Sequence, residues 1–311
     1  MERIVVSLGG NAIVRRGERG TIDEQFENAR VSMSFVARMA GGGRSVVITH
    51  GNGPIVGNIV LRVECAKREV PPMPLYICDA DSEGGIGFVI QQTLHNELRT
   101  RHHLEDVVTV VTQVVVDRDD RAFAEPTKPI GPYYDEREAG RLERERGWVM
   151  AEVAGGGFRR LVPSPAPLRI VETAVIEKLA SLGVIVIAAG GGGVPVVEEG
   201  GLLRGVEAVV DKDLATSVLA VELGASRIVT LTEVDAVYLD FGKPSQLPVR
   251  TMTAAEARRF TAEGHFAPGS MRPKVEAAVR FVEATGGDVI ITAPELVEEA
   301  VEGRAGTRIV A

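Results

Sequence analysis

The sequence is short of lysine, cysteine and long apolar runs, and each shortage narrows what the chain can be. Of its 35 basic residues, six are lysines and 29 are arginines, so arginine is the default surface cation. Two cysteines, Cys65 and Cys78, are too few for a disulfide framework. No CxxC or Cys/His ligand spacing occurs, so no metal-ligating residues are expected and a reduced, cytoplasmic protein is. The sequence contains no run of about 18 apolar residues, so no membrane span is expected. The first residues lead straight into a strand pattern without the features of a signal peptide. A net charge of −8 leaves no basic stripe for a phosphate backbone, which argues against nucleic acid as a partner. With 45% hydrophobic and 25% charged residues over 311 positions, the chain can bury a sizeable core in one large or two smaller domains.

What is present is an alternation of strands and helices punctuated by glycine. Residues 3–8 (RIVVSL) and 45–49 (SVVIT) read as strands, ended by Gly9-Gly10-Asn11 and by His50-Gly51-Asn52-Gly53-Pro54. Thr21-Ile22-Asp23-Glu24 is a capping-box pattern and Pro54 suits a first helical turn. Two strand–glycine loop–helix units in succession are the pattern of a parallel α/β sheet that binds an anion at helix N-termini. Residues 71–81 (PPMPLYICDAD) read as a loop or edge segment, 84–99 as a helix, and 107–116 as one further buried strand. Residues 184–189 (VIVIAA) form a strand buried on both faces, followed by Gly190, Gly191, Gly192 and Gly193. Such glycines let backbone N–H groups approach a ligand with no Cβ in the way.

Four of the six lysines lie in glycine- or proline-rich or acidic loops: Lys128, Lys212, Lys243 and Lys274. A chain that prefers arginine yet keeps lysine there needs a compact point charge at those places. Lys212 stands between Asp211 and Asp213 where a helix begins. That triplet reads equally as a helix N-cap with an incidental lysine or as a phosphate site. Lys274 falls in the first turn of a helix that Ser270 can cap, where a cation opposes the helix dipole. Lys128 lies between Pro126 and Pro129 in a polar, proline-rich excursion over 117–167, readable as a stiff surface loop or as a presented cation.

In order, GGNA at 9–12, THGNGP at 49–54, EPTKPIGPYY at 125–134, LVPSPAP at 161–167, AAGGGGVPV at 188–196, VVDKDLA at 209–215, LTEVDAVY at 231–238, FGKP at 241–244 and GSMRPKVEAA at 269–278 resemble the carbamate kinases of the amino-acid kinase superfamily. The resemblance runs over essentially the whole length. It implies a three-layer αβα sandwich around a mainly parallel open sheet of about eight strands, with the excursion as a protruding subdomain. It implies a substrate half over 1–200, carrying a lid subdomain at 117–167, and a nucleotide half over 201–311. The implied reaction is reversible phosphoryl transfer between ATP and carbamate, giving ADP and carbamoyl phosphate with Mg²⁺, in a homodimer. Gly9, Gly10, Gly51 and Gly53 would then give backbone donors to the substrate, and Asn11 and Asn52 side-chain hydrogen bonds. Lys128, Lys212 and Lys274 would balance the charge of the moving phosphoryl, with Asp211 or Asp213 orienting Lys212. The tetraglycine at 190–193 would lie in the nucleotide site, with Thr232, Val234, Asp235, Tyr238 and Met271 around the adenine. Sibling amino-acid kinases usually carry a lysine in the first strand where this chain reads Val6-Ser7-Leu8, and Lys128 is expected to replace it. Ile55 and Glu83 stand where the family usually has glutamine. An acylphosphate-forming kinase of another carboxylate, or a non-catalytic nucleotide-binding module, would share this fold. The missing first-strand lysine counts against the former, the three retained lysines against the latter.

Overall fold

The computed structural model describes residues 2–15, 17–40, 43–153 and 156–311; the side chain of Asn11 lies outside the described part. Among the described residues, eight strands form the central sheet in the spatial order Thr251–Thr253, Thr307–Val310, Asp288–Thr292, Arg227–Leu231, Arg3–Leu8, Ser45–His50, Ile185–Ile187 and Val107–Thr109. Neighbours run parallel except where Thr307–Val310 meets Asp288–Thr292. The β-branched runs of the central strands have no polar face because helices cover both sides. Val5, Val47 and Val186 point to one layer, with Leu219 and Val275 of helices Lys212–Glu222 and Met271–Thr285. Ile4, Val6, Ile48 and Ile187 point to the other, with Met33 and Ile90 of helices Ile22–Met39 and Leu75–Thr100. This is the expected αβα sandwich. Its parallel core gathers the carboxyl ends of neighbouring strands on one edge, where open α/β sheets bind ligands.

Local chemistry starts the helices where the sequence predicts. Thr21 and Thr253 each form a reciprocal capping box, with Glu24 and Glu256. Ser270 occupies the cap position before Met271–Thr285, but its side chain makes no capping bond.

Two segments differ from expectation. Residues 75–81 are not loop: the helix begins at Leu75, directly after Pro74, and runs 26 residues. The prolines at 71, 72 and 74 disguise its start; once past them, Glu207 Oε1 accepts from the Leu75 N–H at 3.0 Å and holds the first turn. Residues 107–116 are not one strand but two. Val107–Thr109 closes the central sheet, and Gln113–Val116 belongs to a second, four-stranded sheet. The break lies at Thr112, whose N–H donates to Glu83 Oε2 at 3.0 Å and whose hydroxyl accepts from the Ala189 N–H at 2.9 Å. Those bonds replace the ladder bonds a continuous strand would need.

The excursion is a three-stranded antiparallel sheet, Lys128–Tyr134, Phe158–Val162 and Val149–Glu152, with helix Glu136–Arg146. Lys128 thus sits on a strand rather than a loop. At the subdomain's neck, the Asp120 carboxylate accepts from the N–H groups of Ala122 and Ala166, both at 2.9 Å, tying the outgoing chain to the returning one.

Candidate active site

Three helices, Gly53–Ala66, Lys212–Glu222 and Met271–Thr285, begin at the glycine-loop edge of the sheet. Asp211 caps the second, its Oδ1 accepting from the Asp213 N–H at 2.9 Å. Its other oxygen accepts from Lys128 Nζ at 2.6 Å, so the cap also anchors the subdomain's lysine. Asp211 is thus the N-cap that one reading of the Asp-Lys-Asp triplet expects.

Lys212 Nζ donates to Ser7 Oγ and to Asp213 Oδ1, both at 2.8 Å, and Lys274 Nζ donates to Asp213 Oδ2 at 3.1 Å. Two carboxylates thus gather three ammonium groups from distant parts of the chain, leaving an excess of positive charge. Burial pushes the Asp213 carboxyl up, but Lys212 and Lys274 overturn that and hold it below the usual carboxylate range. Burial lowers the Lys212 ammonium against the opposing pull of Asp213. The ammonium beside Ser7 of the first strand is that of Lys212, while Lys128 reaches Asp211 from the subdomain. Ser7, polar within the apolar run that follows Arg3, was the available signal.

The glycine loops close over this cluster. A Cβ on Gly51 would come within 3.3 Å of the Gly10 N and 3.6 Å of Lys212 Cδ, so its absence lets both lie against it. Gly10 and Gly53 head a 3-10 turn and a helix, whose first N–H groups have no carbonyl within the helix to bond. The N–H groups of Gly9 and Gly51 are not available: they donate to Leu231 O at 3.1 Å and Leu8 O at 3.2 Å, extending the parallel ladders. Those two expected substrate donors are structural. The side chain expected of Asn11 lies outside the described residues.

Asn52 turns inward instead of toward a ligand. Its amide donates to Ser82 Oγ at 2.8 Å and Asp79 Oδ1 at 3.2 Å on helix Leu75–Thr100. The tetraglycine also differs from expectation. A Cβ at Gly190 would come within 2.8 Å of Glu83 Cγ, and one at Gly191, Gly192 or Gly193 would overlap Asn52, Val210 or Val114. The Gly190 N–H donates to Glu83 Oε1 at 2.9 Å, and those of Gly192 and Gly193 donate to Ala189 O and Gly190 O. All four residues are buried against protein. Their missing side chains make room for neighbouring side chains and backbone, and they offer no nucleotide cradle.

Beneath the loops lies a buried polar layer that sequence reasoning missed, namely His50, Asp79, Ser82 and Glu83. Its signal, Asp79, Ser82 and Glu83 at helical spacing, is hidden because 71–81 read as a loop and the helix pattern starts only at 84. Burial pushes Glu83 up to about 8 and His50 down to about 4, and raises Asp79 well above its ordinary value. His50 Nε2 and Asp79 Oδ2 are buried without a hydrogen-bond partner among the described residues. Ile55 is partly buried against the core layer that holds Ile48 and Ile90.

Next to the residues expected around the adenine, His265 Nδ1 lies 3.4 Å from Asp240 Oδ1. Asp235 accepts from the Tyr238 hydroxyl at 2.7 Å, Met271 packs on the core, and Val234 is half-buried. Thr232 instead lines a cavity of about 450 Å³ with Gly9, Arg15 and Phe35, which none of the three lysines lines.

The chain matches the model of the amino acid kinase family over residues 2–293. It is 48% identical to the carbamate kinase of Pyrococcus horikoshii over 310 residues, which cover 99% of each chain. With the carbamate kinase of Trichomonas vaginalis it shares 45% over 311 residues, again 99% of each. Among solved structures, carbamate kinase from Giardia lamblia bound to AMP-PNP superposes with a TM-score of 0.92 at 41% identity, covering 99% of this chain and 98% of that one.

Proposed function

This chain belongs to the amino acid kinase family, and from that premise we propose how its residues carry out the chemistry of the carbamate kinases it matches end to end. It is an ATP-dependent kinase, transferring a phosphoryl group reversibly between ATP and carbamate. A carbamate oxygen bonds to the γ-phosphorus as the bond from that phosphorus to the β–γ bridging oxygen breaks. Carbamoyl phosphate and ADP leave, and no proton changes hands. Such a transfer needs positioning and charge neutralisation rather than a covalent intermediate.

The observation that carries the residue assignment is the convergence of Lys128, Lys212 and Lys274 on Asp211 and Asp213. Lys212 and Lys274 neutralise the transferring phosphoryl, Asp213 fixes their separation, and Lys128 closes over the substrate from the subdomain. Gly10 and Gly53 supply N–H donors at the helix starts, and residues around Tyr238 and Met271 hold the base. The division into a substrate half at 1–200, with a lid at 117–167, and a nucleotide half at 201–311 follows this assignment.

Among the described residues no group of three His, Cys, Asp or Glu side chains can hold a metal, and Asp211 and Asp213 are committed to lysines. That donor set does not fit a metal held by protein alone. It is compatible with Mg²⁺ arriving on the nucleotide's phosphates, where it would offset their charge. A homodimer is part of this proposal, and the apolar groove of about 660 Å³ lined by Ile22, Phe26, Ile55, Val63, Ile86 and Phe88 is a surface such pairing could cover. No described helix is long and apolar enough to cross a membrane.

The test is ATP formation from ADP by the purified chain, with carbamoyl phosphate, acetyl phosphate and N-acetylglutamyl phosphate as alternative donors. ATP from carbamoyl phosphate alone is expected. No ATP from any of the three would leave a nucleotide-binding module, and preference for another donor would move the substrate class.

A further inference from the structure

The subdomain's first strand crosses helix Gly53–Ala66 backbone to backbone, at Gly131 and Gly57. A methyl placed on Gly57 would overlap the Gly131 Cα and amide nitrogen outright. A helix interior disfavours glycine relative to alanine, so Gly57 breaks a local rule, and the crossing supplies its reason. Gly131 has φ +75°, which also favours glycine. Lys128, three residues upstream on the same strand, reaches Asp211 at 2.6 Å. Pairing of Lys128 with Val162 and of Ile130 with Arg160 puts these four on one face of the sheet. There Ile130 and Val162 are buried with Val56 and Val60 of the helix. Farther along the seam, Arg146 pairs with Glu64 of that helix at 2.8 Å, and its guanidinium lies 5.1 Å from the centre of the Trp148 ring.

We propose that the Gly57–Gly131 crossing sets the height of the subdomain over the site, making Gly57 a positioning residue for Lys128. This rests on the assignment of Lys128 to the phosphoryl-transfer site. Non-bonded carbons settle about 3.5–4 Å apart, so a methyl at residue 57 must lift the strand by an amount on the order of 1–2 Å. A misplacement of about 1 Å can cost roughly 10²-fold in rate.

Trp148 is the only tryptophan in the chain and packs in the seam, so its fluorescence reports docking directly. For Gly57→Ala we expect kcat in the ATP-forming direction to fall about 10²-fold. The nucleotide Kd should stay within about threefold, and Trp148 emission should shift to the red with easier acrylamide quenching. Lys128→Met, measured alongside, should be equally slow with unshifted emission. Ile130→Ala, which shrinks the buried anchor without a clash, should move both readouts in the same direction and serves if Gly57→Ala does not fold. Turnover near wild type in Gly57→Ala, whether or not Trp148 shifts, would overturn the proposal, as would unchanged turnover in Ile130→Ala with Trp148 exposed. Wild-type turnover in Lys128→Met would instead refute the assignment of Lys128, and the proposal with it.

Discussion

Asp213→Asn is the most informative single change, because it keeps the shape of the side chain and removes the charge that two lysines share. Lys212 Nζ lies 2.8 Å from one oxygen and Lys274 Nζ 3.1 Å from the other. At an effective dielectric of about 20, each contact is worth roughly 5–6 kcal/mol before desolvation is subtracted. Breaking a buried pair leaves a net loss of about 3–5 kcal/mol. For a chain of 311 residues that corresponds to a fall in Tm of roughly 5–8 °C. The two ammonium groups then repel each other with no carboxylate between them, and the phosphoryl loses its two-point support. Turnover should fall about 10²–10³-fold, the usual loss when one transition-state stabiliser is removed. ATP or carbamoyl phosphate supplies the missing negative charge, so either should raise the variant's Tm by more than it raises that of the wild type. A scanning-fluorimetry titration with each ligand, together with the coupled ATP assay, measures both effects. Wild-type Tm and wild-type turnover in Asp213→Asn would refute the idea that this carboxylate organises the lysines.

The buried carboxyl of Glu83 makes a pH prediction. Its folded value of about 8 lies above its ordinary value of 4.5, so between them the folded state holds a proton that the unfolded state has lost. The stability it contributes is present below pH 4.5 and lost as pH rises toward 8. Glu83→Gln should flatten that part of the Tm–pH curve. It should also lower Tm at pH 5, because glutamine has one acceptor oxygen for two buried N–H groups, a loss of about 1–3 kcal/mol. An unchanged slope across this range would remove Glu83 from the titration. Gly191→Ala should destabilise by about 1–3 kcal/mol from backbone strain alone, with a further loss from displacing Asn52. A fall in urea midpoint would show it, and an unchanged midpoint would mean that the tetraglycine is not close-packed.

Much of this was legible in the sequence. Glycine-asparagine loops after apolar runs marked the strand ends, and rare lysines in acidic or proline-rich contexts marked the cluster. Each of those signals depends on local spacing, which sequence preserves. What was lost depends on which neighbour a residue meets. A missing Cβ at 190–193 looks the same whether a ligand or Val210 fills the space. Asn52 beside two glycines could face a phosphate or Ser82, and only packing decides. Prolines at 71, 72 and 74 concealed the start of a helix, and with it the layer formed by Asp79, Ser82 and Glu83. The partnership of Ser7 and Lys212 spans more than 200 residues, beyond the reach of any periodicity.

The central claim is that ammonium groups gathered by Asp211 and Asp213 act on the transferred phosphoryl. It is tested most directly by the turnover of Lys212→Met in ATP formation from ADP and carbamoyl phosphate. The expected result is a loss of about 10²-fold or more with ADP still bound. Turnover within about threefold of wild type would contradict it, since one transition-state charge contact is worth far more than that.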